Sequence, residues 1–107
     1  MLLTAEHSLL MLIDLQSKLA PAIHNNAEVE QHCRWLVEVA RELAVPVLAT
    51  EQYPQGLGVT VPALLSLLKS EEILEKIHFS AGKEPHIQAA LADSGRRQIV
   101  LCGTETH

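Results

Sequence analysis

Three groups of residues in this chain have types and positions suited to chemistry. Asp14 closes the apolar run SLLMLID, Lys76 stands near the end of a short run over Ile73 to Ile77, and Gly103-Thr104-Glu105-Thr106-His107 follows Ile99-Val100-Leu101-Cys102. In parallel α/β proteins, ligands and reacting groups collect just outside the carboxyl ends of the strands, so the three would meet at one sheet edge. An acid and a lysine placed there can share a hydrogen bond. The ammonium favours the carboxylate form, which can then accept a proton. Taken singly, each has a plainer reading: Asp14 as a capping or loop acid, Lys76 as a solvated lysine.

The elements that must position these residues follow from the apolar pattern. Ser8 to Asp14 suits a strand buried on both faces, as in a parallel sheet. Asn25 and Glu28 read as a capping box opening a helix. Val29, Cys33, Leu36, Val37, Ala40 and Leu43 mark its apolar face. A second strand is expected over Val45 to Thr50, with Pro46 near its start, where a missing amide is tolerable. Glu51 to Val59 (EQYPQGLGV) carries Pro54, Gly56 and Gly58 and reads as a loop. Thr60 is placed to cap a short helix running to about Lys69, with Pro62 in its first turn. The third strand, Ile73 to Ile77, is weak because Glu75 and Lys76 interrupt it. Pro85 and Gly95 bracket a helix over about 84 to 94, and Gln98 to Cys102 makes a fourth strand. Alternating strands and helices imply a parallel sheet with right-handed crossovers, in the order 3-2-1-4. An apolar fourth strand at the edge is an aggregation hazard unless a further strand or subunit covers it.

Composition narrows the function classes. The 107 residues make a single domain, and 48% hydrophobic content suits a globular chain. With one Trp, one Tyr and one Phe, the core must rest on Leu, Ile, Val and Ala. A net charge of −5 without Lys/Arg clusters argues against nucleic acid as a partner. The apolar stretch Leu9 to Ile13 is too short to span a membrane and lacks signal-peptide flanks, so the expected setting is soluble and cytoplasmic, with no membrane partner. Cys33 and Cys102 sit inside apolar patterns without CxxC spacing and read as buried structural thiols rather than a disulfide framework. The turn after the first strand, Asp14-Leu15-Gln16-Ser17-Lys18, has no glycine to admit a pyrophosphate, which excludes a Rossmann dinucleotide site.

Four segments together carry a family resemblance: LLMLIDLQ (9–16), PVLATEQYPQGLGVTVPAL (46–64), EKIHFSAG (75–82) and IVLCGTETH (99–107). In this order they resemble the isochorismatase-like hydrolase superfamily, and within it the isochorismatase-domain-containing branch with its TEQYP-x-GLG loop. The resemblance implies a three-layer, doubly wound, Rossmann-like α/β fold. Residues 1–107 would be the N-terminal portion of the single domain, without its C-terminal strands. It also implies an Asp-Lys-Cys triad. Asp14 matches the acid that deprotonates the nucleophile, and Lys76, ahead of Phe79-Ser80, matches the lysine that polarises the site. The nucleophilic cysteine follows the family's G-x-E-T-H sequence by two positions, past His107. Cys102, inside the strand, and Cys33, on the buried face of a helix, are poor substitutes.

Further expectations rest on the same likeness. Gln16, Tyr53 and Phe79 would line the substrate pocket. Backbone donors around Thr104 and Glu105 would form an oxyanion hole, with a cis peptide joining those two residues. Nicotinamidase members hold a zinc-type ion through an Asp and a His pair in the loop after the second strand. Here that loop has no His, and the chain's six histidines show no ligand spacing, so no metal or other cofactor is expected. The function implied is hydrolysis of a C–N bond in a small amide-like substrate, by a protein that forms homo-oligomers; the fragment itself would be inactive. Two alternatives stay open. One is a non-catalytic oligomeric or binding module on the same fold. The other is hydrolysis of a vinyl ether by the acid alone, as in true isochorismatases with glycine in place of cysteine.

Overall fold

The central strand sets the architecture. In a computed structural model, which describes residues 4–16, 26–52, 54–76 and 84–103, β1 (Ser8–Ile13) is hydrogen-bonded on both sides. Its neighbours are β2 (Val47–Gln52) and β4 (Gln98–Gly103), and β3 (Ile73–Lys76) pairs with the outer edge of β2. All pairs are parallel and the order is β3-β2-β1-β4, as in the doubly wound arrangement that the family resemblance implies.

Strand alternation divides the core into two layers. Leu10 and Leu12 of β1 face one side with Val47 and Ala49. They pack there with Cys33, Val37 and Ala40 of α1 (Asn26–Glu42) and Leu64 of α3 (Pro62–Leu65). Leu9 and Met11 face the other side, against Ile87 and Leu91 of α4 (Pro85–Asp93). Helices therefore cover both faces, which is why SLLMLI is apolar at every position but one.

Several element ends differ from the expected ones, each for a visible reason. The start of α1 at Asn26 leaves the Asn25 capping box outside the described residues. At its other end, Val45 N–H donates to Ala40 C=O at 2.8 Å and Ala44 N–H to Arg41 C=O at 3.2 Å. These are the two bonds of a Schellman motif, with Ala44 at φ +57° where glycine is usual. The motif turns the chain before Leu43 can join the apolar face, and Leu43 is left exposed. Strand β2 begins at Val47 and runs through Gln52, so Glu51 and Gln52 are strand rather than loop. A short helix, α2 (Pro54–Leu57), follows. Thr60 does not cap α3: its N–H and hydroxyl both donate to Glu51 Oε2, at 2.7 and 2.8 Å, and Val61 is the N-cap residue. Nor does α3 reach Lys69, because after Leu65 the bonds tighten to i→i+3, from Leu67 to Leu64 and from Leu68 to Leu65.

Two cross-links tie α1 to the rest of the domain. Arg41 grips Glu72 through two bonds, of 2.6 and 2.8 Å, and also donates to the Leu67 carbonyl. Burial pushes the Glu72 carboxyl up, but the Arg41 hydrogen bond, the Lys69 N–H and nearby cations together hold it below its ordinary range. The second link corrects the cysteine expectation. Cys33 and Cys102 are joined as a disulfide, with Cα atoms 6.3 Å apart. Helix α1 packs its Cys33 face onto β4, and that contact brings together two thiols 69 residues apart in sequence.

Candidate active site

At the carboxyl edge of β1 the chain turns sharply. Asp14 adopts φ +50°, a left-handed conformation that aspartate tolerates better than most residues. It is buried, as is Lys76 at the end of β3, whose side chain is fully excluded from solvent. The two meet as an ion pair, with Lys76 Nζ 2.9 Å from Asp14 Oδ2. A whole strand, β2, lies between theirs in the chain, yet the parallel order β3-β2-β1 brings both strand ends to one edge.

The side chains spanning that gap come from β2, and sequence reasoning did not single them out. Thr50 and Gln52 occupy alternate positions of the strand and so share one face. Thr50 Oγ1 donates to Asp14 Oδ1 at 2.9 Å and accepts from Asp14 N–H at 3.3 Å. Gln52 stands in register opposite Lys76, and its Oε1 accepts from Nζ at 3.1 Å. The signal that would have found them is the T-x-Q spacing, once the strand is known to continue past Thr50.

Gln16, expected on the pocket wall, is fully buried, and its amide is committed to backbone. Its Oε1 accepts from Gln52 N–H at 2.7 Å, while Nε2 donates to the carbonyls of Gln52 and Gly58 at 2.9 and 2.7 Å. Together with the Gln16–Thr60 bridge and the Glu51–Thr60 bonds, it fastens the segment after β2 against the turn after β1. Gln16 thus bonds to backbone at the carboxyl edge of the sheet.

Tyr53, Phe79, Thr104, Glu105 and the Thr104–Glu105 peptide lie outside the described residues. Cys102 is half-buried on the α1 side of β4 and bonded to Cys33. Among the described residues no group of three or more His, Cys, Asp or Glu could hold a metal ion. An apolar groove between Leu36, Val39, Leu43 and Val100 lies near Ser8, at the opposite end of β1 from the ion pair.

A cation and an anion in contact out of water, with a hydroxyl on the second carboxylate oxygen, make a preorganised proton acceptor beside a fixed positive charge. Such an arrangement can deprotonate a neighbouring nucleophile and stabilise the anion that results.

Comparison with known proteins agrees with the motifs. The isochorismatase domain family matches residues 8–107. Isochorismatase domain-containing protein 2A of Mus musculus is 40% identical over 102 residues, covering 94% of this chain and 48% of its own length. Isochorismatase domain-containing protein 1 of Danio rerio is 39% identical over 95 residues, covering 88% of this chain and 33% of its own. The chain thus spans half or less of these relatives. Among solved structures, the MAR1 ribonuclease from Caenorhabditis elegans is 33% identical with a TM-score of 0.81, covering 94% of this chain and 52% of that one. The YcaC gene product of Escherichia coli, described as an octameric hydrolase of unknown specificity, superposes with a TM-score of 0.83 at 18% identity over 94% of this chain and 52% of its own. At that identity it speaks for the fold alone.

Proposed function

The chain belongs to the isochorismatase family, and on that premise we propose that it carries the acid and the lysine of a cysteine hydrolase cleaving a C–N bond of a small amide. The observation that carries the reading is the buried Asp14–Lys76 pair at the carboxyl edge of the central strand. The nucleophile is placed two positions past His107, where the family resemblance puts its cysteine.

The reaction then runs in two halves. Asp14 takes the thiol proton as sulfur bonds to the amide carbonyl carbon, and the C=O pair moves onto oxygen, held by backbone donors around Thr104 and Glu105. When that pair returns, the C–N bond breaks and the leaving nitrogen takes the proton from Asp14. Water repeats the sequence at the thioester, releasing a carboxylic acid and restoring the thiol. Lys76 keeps Asp14 oriented and offsets the negative charge that develops beside it.

Cytoplasm is the proposed setting; no described helix is long and apolar enough to cross a membrane. Homo-oligomerisation is proposed for the longer chain, since the YcaC gene product on this fold is described as octameric. A polyanionic substrate fits poorly with a net charge of −5.

The test compares the chain ending at His107 with a longer chain carrying a cysteine two positions further, on a panel of small amides. Turnover is expected only from the longer form, lost on Asp14→Asn or on replacing that cysteine by alanine. Turnover that survives the cysteine replacement but not Asp14→Asn, on a vinyl ether, would favour the acid acting alone. Binding of small molecules without turnover by any form would favour a non-catalytic module.

A further inference from the structure

We propose that Gln52 is a positioning residue for Lys76, and that its neutrality is the property the site requires; this rests on the hydrolase reading above. A buried ammonium must have its N–H groups satisfied, because an unmet donor out of water is costly. Lys76 has no exposed side-chain surface and meets Asp14 Oδ2 at 2.9 Å and Gln52 Oε1 at 3.1 Å. Gln52 therefore supplies an acceptor that aims Nζ while adding no charge. A carboxylate at this position would make the same bond but set two anions around one cation. The surplus negative charge would oppose the thiolate and oxyanion that the lysine is there to stabilise.

Gln52 is itself held in place. Both backbone polar groups of the residue are bonded to the Gln16 amide, at 2.7 and 2.9 Å, so Gln16 pairs with β2 where the strand would otherwise fray. The in-register placement of Gln52 opposite Lys76 then leaves its side chain directed along the sheet edge toward Nζ. The result is a chain of contacts from Gln16 through Gln52 and Lys76 to Asp14 and Thr50, of which only the Lys76–Asp14 step is an ion pair.

Two readouts test this, one of them independent of any substrate. In the 107-residue chain, the exchange of the Lys76 ammonium protons with water is measured by ¹⁵N NMR, beside the backbone amides of β2 and β3. Gln52→Met and Gln52→Asn, which remove or withdraw the acceptor, should speed ammonium exchange at least tenfold while those amides are unchanged. Gln52→Glu should keep the slow exchange. In the cysteine-bearing longer chain, the same Gln52→Glu should lower kcat at least tenfold with little change in KM, and move the acid limb of the pH profile. Ammonium exchange that is unaltered in Gln52→Met and Gln52→Asn, or that rises only in step with the backbone amides, overturns the positioning role. Full kcat in Gln52→Glu overturns the role of neutrality. Should the exchange respond as expected while no form hydrolyses amides, the proposed reaction falls and the positioning of Lys76 stands.

Discussion

Breaking the Asp14–Lys76 pair from one side should cost far more than removing both partners together. Lys76→Met deletes the ammonium while keeping an unbranched apolar stem, and leaves a buried carboxylate facing methyl and thioether groups. At the observed 2.9 Å, with an effective dielectric constant near 20, the direct attraction is about 6 kcal/mol. Part of that offsets the removal of both charges from water, so the single substitution should lose about 3–5 kcal/mol. Against a total stability of about 5–15 kcal/mol for a domain, and with a urea m-value of about 2 kcal/mol/M, the midpoint should fall by roughly 2 M. Asp14→Asn tolerates the left-handed backbone and still meets Thr50, yet strands the ammonium, and should lose about 3 kcal/mol. The double substitution replaces the charge pair by neutral groups of similar volume. It should be no less stable than Lys76→Met alone, giving a coupling energy of about 3 kcal/mol in a double-mutant cycle. Urea unfolding followed by circular dichroism reads all four forms. Single losses that simply add in the double form would refute the buried pair as the organising contact of this edge.

Three further outcomes follow from the fold. Ala44→Gly should raise stability by about 1 kcal/mol, because residue 44 sits at φ +57° in the Schellman motif and pays a Cβ penalty there; the urea midpoint checks it, and a lower midpoint would contradict the motif. Glu72→Gln should cost about 1 kcal/mol at pH 7, a modest figure because Arg41 is partly solvated and the pair is screened. Since the folded Glu72 carboxyl lies below its ordinary range, its contribution is fully present above the unfolded value of about 4.3 and is lost as pH falls through the lower folded value; the two proteins should converge in stability once the pH is below that folded value. Opening the Cys33–Cys102 link with a thiol reductant should lower stability by up to about 4 kcal/mol on the loop-entropy account, given the 69-residue separation. Equal unfolding midpoints with and without reductant would show that the bridge does not form in solution.

What could be read from the residues alone depended on whether a local pattern decided the outcome. Ser8–Ile13 is apolar on both faces, so its place inside a parallel sheet follows from burial, while the family resemblance, not the local pattern, implies helices on both faces of that sheet. Asp14 and Lys76 stand at strand ends, and parallel topology carries strand ends to a common edge, so their meeting was legible without any knowledge of distance. Gln52 was not. Glu51-Gln52-Tyr53-Pro54-Gln55-Gly56 has the composition of a loop, and nothing within the segment marks the strand as continuing through Gln52. The continuation rests on distant partners: β3, which pairs with Glu51 and Gln52, and Gln16, 36 residues away in sequence, whose amide bonds both backbone groups of Gln52. The cysteine link was hidden in the same way: α1 packing on β4 joins Cys33 to Cys102, and no spacing along the chain encodes that approach. The acid and the lysine of the candidate site are thus visible as residue types in a pattern. The groups that hold them become visible only when tertiary contacts decide where β2 ends, because the two-residue extension turns a loop glutamine into the in-register neighbour of a buried lysine.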